Sequence, residues 1–297
     1  MTAGGAPFVR EYADLTDVRA DDPGRVAELF AARTRRPVAS HDGRLMIIAC
    51  DHPARGALSV RGRPDAMADR RDMLARLTTA LGRPGVDGVL ATADVIEDLL
   101  LLGALEGKLA FGSLNRGGLA GSAFEMDDRV TAYDVRGAVD TGLDGAKMLM
   151  RIDLDDPATV STMESAGAAV SALARAHRIA MIEPFISRRV DRGVVNDLRA
   201  EQVALSVHIA QGLGASSAYT WLKLPVVDDM ETVMRATTLP TLLLGGDPDG
   251  DPDATYAQWE RALALPSVRG LVVGRALLYP PDDDVTKAVD TAVSLVR

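Results

Sequence analysis

Eight short apolar runs recur along the 297-residue chain, separated by longer segments of mixed polarity. They are "LMIIAC" (45–50), "DGVLAT" (87–92), "LAFGS" (109–113), "GAKMLM" (145–150), "IAMIEPF" (179–185), "YTWLKL" (219–224), "TLLLGG" (241–246) and "GLVVG" (270–274). Near-continuous runs of this length are what parallel strands look like when both faces are covered. The segments between them carry helical periods. Residues 65–81 open on Asp65, a residue type that caps helices. Residues 156–177 place Pro157 where a first helical turn tolerates it. Residues 199–214 end in glycines suited to a helix C-terminus, and 254–265 and 283–297 complete the set. Residues 23–35 predict one further helix ahead of the first strand.

Eight β-then-α units over about 250 residues predict an α/β fold of the (β/α)8 TIM-barrel type. The whole of 1–297 is expected to be a single barrel domain, with 1–40 as a short N-terminal helical extension. A doubly wound open sheet is the main rival, but no G-x-G-x-x-G follows the first strand, which disfavours its dinucleotide-binding version. No low-complexity linker or charge block splits the chain. The acidic stretch "DPDGDPD" (247–253) reads as a solvated loop after strand seven, since it lacks the spacing and terminal Glu of an EF-hand loop.

Composition narrows the class. Hydrophobic residues at 47% and charged residues at 25% fit a soluble globular protein, and the net charge of −9 argues against nucleic-acid or anionic-membrane partners. An acidic whole can still hold a local cationic pocket. Cys50 is the only cysteine, so neither an intramolecular disulfide nor a cysteine metal cluster can form. The opening "MTAGGAPFVREYADL" has no apolar stretch of signal-peptide length. The most apolar stretch, "VIEDLLLLGALEGKLAF", is too broken by Glu97, Asp98, Glu106 and Lys108 to span a bilayer. A cytoplasmic enzyme is expected.

Lysine occurs only at 108, 147, 223 and 287, against 29 arginines (33 − 4), so a lysine here is less readily surface filler. In such a barrel the C-terminal strand ends face the active site. Those ends bring Asp51, His52 and Arg55 after strand one, and Lys147, Arg151 and Asp153 on strand four. Glu183 closes strand five, Lys223 lies in strand six, Gly245–Gly246 follow strand seven and Gly274–Arg275 follow strand eight. A lysine among apolar neighbours loses hydration of its charged form, so its pKa falls and it becomes a nucleophile toward a carbonyl. Lys147 would depress Lys223 further if both point inward. The competing reading, an ion-paired structural lysine with Glu183 or Asp51 as partner, has similar weight for Lys223 alone. Two lysines and two carboxylates at strand ends tilt it to catalysis. Glu183 suits a general acid or base. Asp51 either orients substrate hydroxyls, holds Lys147 or caps the following turn.

The glycines after strands seven and eight, with Arg275, occupy the usual phosphate position of such barrels. They predict a phosphorylated small-molecule substrate. Of the histidines at 41, 52, 177 and 208, only His52 falls at a strand C-terminus, which speaks against a zinc aldolase. Lys108 and Lys287 read as structural. The loop 114–134 is placed to cover the site or to make a subunit contact. Arg61 and Arg63 could serve a second anionic group, though such arginines are more often solvated.

The segments "IIACDHPARGAL", "GAKMLMRID", "MIEPF" and "TWLKLPV" resemble the class I aldolases of the tagatose-1,6-bisphosphate, deoxyribose-phosphate and fructose-bisphosphate aldolase superfamily. The resemblance covers about residues 45–280. It implies catalytic roles for Asp51, Lys147, Glu183 and the Schiff-base lysine Lys223, no cofactor, no metal, and a homo-oligomer. Substrate contacts are implied for Arg55, Gly245, Gly246, Gly274 and Arg275. The turn "DHPARG" is longer than the family's "DQRG" form, a departure that touches Arg55 first. The chain also resembles actinobacterial aldolase-like barrels of inositol-catabolism neighbourhoods, which implies cleavage of 5-dehydro-2-deoxy-6-phosphogluconate to dihydroxyacetone phosphate and malonate semialdehyde. Alternatives are a deoxyribose-phosphate aldolase, a sulfo-sugar-phosphate aldolase, or a catalytically silent barrel used for binding.

Overall fold

The computed structural model describes residues 11–38, 42–116, 118–191, 193–246 and 251–297. Its strands, in chain order, are β1 (Leu45–Cys50), β2 (Gly88–Ala91), β3 (Leu109–Ser113), β4 (Gly145–Ile152), β5 (Ile179–Arg189), β6 (Val194–Asn196), β7 (Thr220–Leu224), β8 (Thr241–Leu244) and β9 (Val268–Val273). Eight of them close a parallel barrel in the order β1-β2-β3-β4-β5-β7-β8-β9, with β9 returning to β1. The fold is the TIM barrel expected from the eight apolar runs. Those runs are buried nearly throughout, because helices cover the outer face while side chains fill the inner one.

The inner face is apolar low in the barrel and charged at its mouth. Leu45, Ile47, Phe111, Met181, Leu242 and Val272 form an interior cluster. Val38 from the extension and Trp221 pack against it. Strand alternation then carries the next inward positions to Asp51, Ser113, Lys147, Glu183 and Lys223. Outside, helix Arg70–Leu81 buries Met73, Leu74, Leu77, Ala80 and Leu81, a stripe of period three and four. Helix Val285–Val296 buries Val285, Ala288, Val289, Ala292 and Val296 in the same way.

Several expectations shift. The helix read from Asp65 begins at Arg70, and Asp69 caps it by accepting from the backbone N–H groups of Arg71 and Asp72. Residues 64–68 are turns instead. The extension carries two helices, Asp14–Asp21 and Gly24–Ala32, not one. Arg19 anchors the first to Glu97 and Asp98 at 2.8 and 2.7 Å, and Arg33 donates to the Lys108 carbonyl at 2.8 Å. Strand five continues past Phe185 to Arg189 and pairs antiparallel with β6, a ninth strand outside the eight runs. Part of "DPDGDPD", residues 247–250, lies outside the described residues; Asp251 caps helix Pro252–Leu263. His41 and Gly117 also fall outside them. Among the described residues no helix is long and apolar enough to cross a membrane.

One backbone approach fixes the barrel's closure. Gly270 has φ +125°, and a Cβ there would stand 1.9 Å from the Leu45 carbonyl oxygen. Gly270→Ala is therefore expected to destabilise the barrel by about 3 kcal/mol, combining backbone strain with overpacking. Urea unfolding followed by circular dichroism checks this; a loss below about 1 kcal/mol would mean that the β1–β9 seam gives way freely.

Candidate active site

β1, β4, β5 and β7 converge at the barrel mouth through one inward position each. Asp51 follows β1 immediately, Lys147 and Glu183 lie within β4 and β5, and Lys223 lies near the end of β7. All four are at most 8% exposed. The Lys223 ammonium donates to Glu183 Oε1 at 2.9 Å. Lys147 Nζ lies 2.7 Å from Glu183 Oε2 and donates to Asp51 Oδ2 at 3.0 Å. Ser113 Oγ donates to the same Asp51 oxygen at 3.2 Å. The charges thus alternate along one line, Asp51, Lys147, Glu183, Lys223.

The two amines are pushed in opposite directions. Burial lowers the Lys223 pKa; Glu183 opposes this, Lys147 reinforces it, and the net shift is downward. Burial acts on Lys147 in the same sense, but Asp51 and Glu183 together overcome it and raise its pKa. Burial alone would raise the Glu183 carboxyl; the ammonium groups of Lys147 and Lys223 hold it at about 2. Asp51 is likewise driven down, against burial, by Lys147, His52 and Lys223. The site therefore holds two ionised carboxylates, one firmly protonated lysine and one lysine that gives up its proton more readily.

These residues border a cavity of about 570 Å³. Gly245, Gly246, Gly274 and Arg275, which follow β8 and β9 between β7 and β1, line it as well, so the sequence-predicted groups share one space. Gly246 has φ +69°, and a Cβ on Gly274 would stand 2.2 Å from the Ala49 carbonyl oxygen. Arg275 Nη1 donates to the Ser59 carbonyl at 3.2 Å.

Arg55 shares the cavity with the other expected substrate contacts, with its head group engaged. It borders the cavity, but its guanidinium is turned to the loop after β3. Nη1 donates to Asp128 Oδ2 at 2.5 Å and Nη2 to the Gly118 carbonyl at 2.6 Å. The longer "DHPARG" turn forms a short 3-10 helix, Pro53–Arg55, that carries this side chain. Arg61 and Arg63 do not line the cavity. Lys108 donates to the Val86 carbonyl at 2.7 Å, and Lys287 pairs with Asp282 at 2.9 Å, both away from the mouth.

His52 and Arg151, which the sequence places at strand ends without a role, also border the cavity. His52 packs its Cε1 3.0 Å from where a Gly274 Cβ would stand, and burial holds its imidazole at about 4, so the ring is neutral near pH 7. Arg151, inward on β4 above Lys147 and Leu149, pairs with Glu125 at 2.7 Å. Strand parity puts Arg151 on the face of Lys147; its partner, in the loop after β3, could not be read from spacing. Among the described residues no group of three or more His, Cys, Asp or Glu side chains could hold a metal ion.

Among proteins with curated descriptions, none matches the chain. Solved structures do. Cgl0159 from Corynebacterium glutamicum is 55% identical, with 96% of each chain covered and a TM-score of 0.94. An archaeal fructose-1,6-bisphosphate aldolase, with its catalytic lysine covalently bound to the carbinolamine intermediate of the substrate, is 20% identical. It covers 91% of this chain and 99% of its own at a TM-score of 0.64. Fructose-bisphosphate aldolase from Slackia heliotrinireducens is 14% identical, covering 97% and 89% at 0.62. At such identities these aldolases share the fold. The Cgl0159-like family model matches residues 43–293, and the chain belongs to that family.

Proposed function

We propose that the protein is a metal-independent class I aldolase that cleaves a phosphorylated keto sugar or keto sugar acid through a Schiff base on Lys223. The observation that carries this reading is the inequality of the two buried amines. Lys223, with one carboxylate partner and a neighbouring ammonium, is the one whose pKa falls. A lysine kept only for charge balance gains nothing from a second cation nearby; a nucleophilic lysine does. An aldolase of the same fold carries a carbinolamine on its catalytic lysine, which supports the reading by analogy of fold.

In this mechanism neutral Lys223 Nζ adds to the substrate ketone to give a carbinolamine. Glu183, 2.9 Å from Nζ, takes the proton released by nitrogen and returns one to the departing hydroxyl, so water leaves and an iminium forms. The iminium then accepts the electron pair of the Cα–Cβ bond, the C–C bond that lies beyond the carbon adjacent to it. A base removes the proton of the hydroxyl beyond that bond, an aldehyde departs, and an enamine remains. Protonation and hydrolysis of the enamine restore Lys223. Lys147 keeps Glu183 and Asp51 ionised, and Asp51 holds substrate hydroxyls. Gly245, Gly246, Gly274 and Arg275 receive the phosphate at the ends of β8 and β9. Arg55 acts indirectly, by fixing the loop after β3. Release of dihydroxyacetone phosphate fits this layout, and resemblance makes 5-dehydro-2-deoxy-6-phosphogluconate the first substrate to test.

Borohydride reduction in the presence of dihydroxyacetone phosphate is expected to add one reduced adduct, mapped by peptide mass to Lys223. Lys223→Met should lose the adduct and at least about 10³-fold in kcat. An adduct on Lys147 instead, or near-normal turnover by Lys223→Met, contradicts the assignment.

The pH dependence has a defined sign. Adduct formation requires the neutral amine, so its rate should rise with pH through a limb below 10.5, the ordinary lysine value from which Lys223 is lowered. Lys147→Met removes the repelling cation and leaves Glu183 wholly to Lys223. The limb should therefore move to higher pH, with a rate at pH 7 lower by about tenfold or more. A limb that stays in place would remove Lys147 from the mechanism.

A further inference from the structure

Arg151 stands on β4, and in an eight-stranded ring β4 lies diametrically across from β9, which delivers Gly274 and Arg275. It is four residues beyond Lys147 on the same strand face, about 13 Å further along the strand direction. The cavity therefore has a cationic group at each end of a diameter, with Lys223 between them. One edge of the Arg151 guanidinium is used: Nη1 lies 2.7 Å from Glu125 Oε1. Glu125 is fixed in turn by the Gly121 backbone N–H, which donates to its Oε2 at 2.8 Å. Among the described residues the Nε and Nη2 groups have no hydrogen-bond partner. Those two N–H bonds form the parallel fork that matches a planar carboxylate.

The surroundings agree in kind. Leu149 and Phe185 wall the cavity beside Arg151, and Phe185 is its register partner on β5. Two residues further along β5, Ser187 donates its hydroxyl to Asn196 Oδ1 at 2.8 Å. That leaves the Asn196 amide Nδ2 as a second donor at the same rim. Burial and the neighbouring Arg55 push the Arg151 guanidinium below its ordinary value, so added negative charge is favoured there. Arg55 itself is spent on Asp128 and Gly118. Because Glu125 already compensates much of the Arg151 charge, a monoanion fits better than a dianion, whose desolvation one half-neutralised cation would not offset.

We propose that the free Nε–Nη2 edge of Arg151, with Asn196 beside it, binds a carboxylate at the end of the substrate remote from its phosphate, which makes the preferred substrate a phosphorylated keto sugar acid. This deepens the Schiff-base reading and rests on it for the position of the ketone.

The test uses four probes on the full-length protein: dihydroxyacetone phosphate, a six-carbon ketose 1-phosphate, the same ketose oxidised to a carboxylate at its far carbon, and the corresponding bisphosphate. The half-saturating concentration for borohydride-trapped adduct is read by intact mass. The carboxylate probe should saturate at least tenfold lower than the alcohol and lower than the bisphosphate. Arg151→Gln should erase that preference while leaving dihydroxyacetone phosphate and the ketose 1-phosphate within about threefold of wild type. Arg151→Lys, which keeps the charge and loses the fork, should retain only part of it. Equal saturation by carboxylate and alcohol, preference for the bisphosphate, or uniform weakening of all four probes in both variants overturns the proposal. The last pattern would make Arg151 a prop for the loop after β3. Should no probe leave an adduct on wild type, the Schiff-base reading fails by itself. The alditols of the same series, which have no ketone, then decide on Arg151 by calorimetry, with the same tenfold preference expected and its absence overturning the assignment.

Discussion

Four buried charged groups share the floor of one cavity, and their order is the constraint on which the rest depends. Each alone would cost several kcal/mol to bury. Alternation makes the burial tolerable: every ammonium touches a carboxylate, at 3.0, 2.7 and 2.9 Å along the line from Asp51 to Lys223. The line has ends, however, and the ends are unequal. Lys147 sits inside it with two carboxylates, whereas Lys223 sits at a terminus with one. The same burial therefore yields two amines with opposite shifts. Environments that push like groups apart are how one site assigns different tasks to identical side chains.

The barrel enforces this order from below. Ile47, Phe111, Met181 and Leu242 fill its interior, with Val38 and Trp221 packed against them, and leave an apolar layer beneath the charged line. The sparse dielectric above it strengthens each contact in the charged line and each imbalance in it. The apolar inner residues and the charged ones share one face of the same strands, so a slip of one residue in any of β4, β5 or β7 would turn the ammonium or carboxylate outward.

Much of this was legible in the chain because periodicity carries it. Continuous apolar runs fix the strands, and the parity of Lys147 with Leu149 and Arg151, or of Lys223 with Trp221, fixes which side chains share a face. What parity cannot supply is depth between strands. Glu183 bridges the two lysines only because β4 registers Leu149 against Glu183 and so brings Glu183 beside Lys147. Short elements were also opaque. Val194–Asn196 has three residues, too few for a period, and helix Met230–Arg235 has six. Helix Ala93–Leu101 runs into an apolar stretch that continues to β3, so its hydrophobic face does not stand out by composition. The engagement of Arg55 was out of reach for a different reason: its partner Asp128 lies 73 residues away.

A purely structural network and a catalytic one use the same residues, and the distinction lies in how the charges are shared. If stability alone had shaped the cluster, the lowest-cost arrangement would give both ammonium groups comparable carboxylate contact, because the less compensated one carries most of the desolvation penalty. Here Glu183 divides its oxygens, Oε1 to Lys223 and Oε2 to Lys147, while both Asp51 contacts within the cluster go through one oxygen, to Lys147 and Ser113. Lys223 carries the penalty. A group held at a cost, on the floor of a cavity and beside a carboxylate able to move its proton, fits the proposed nucleophile better than a strut.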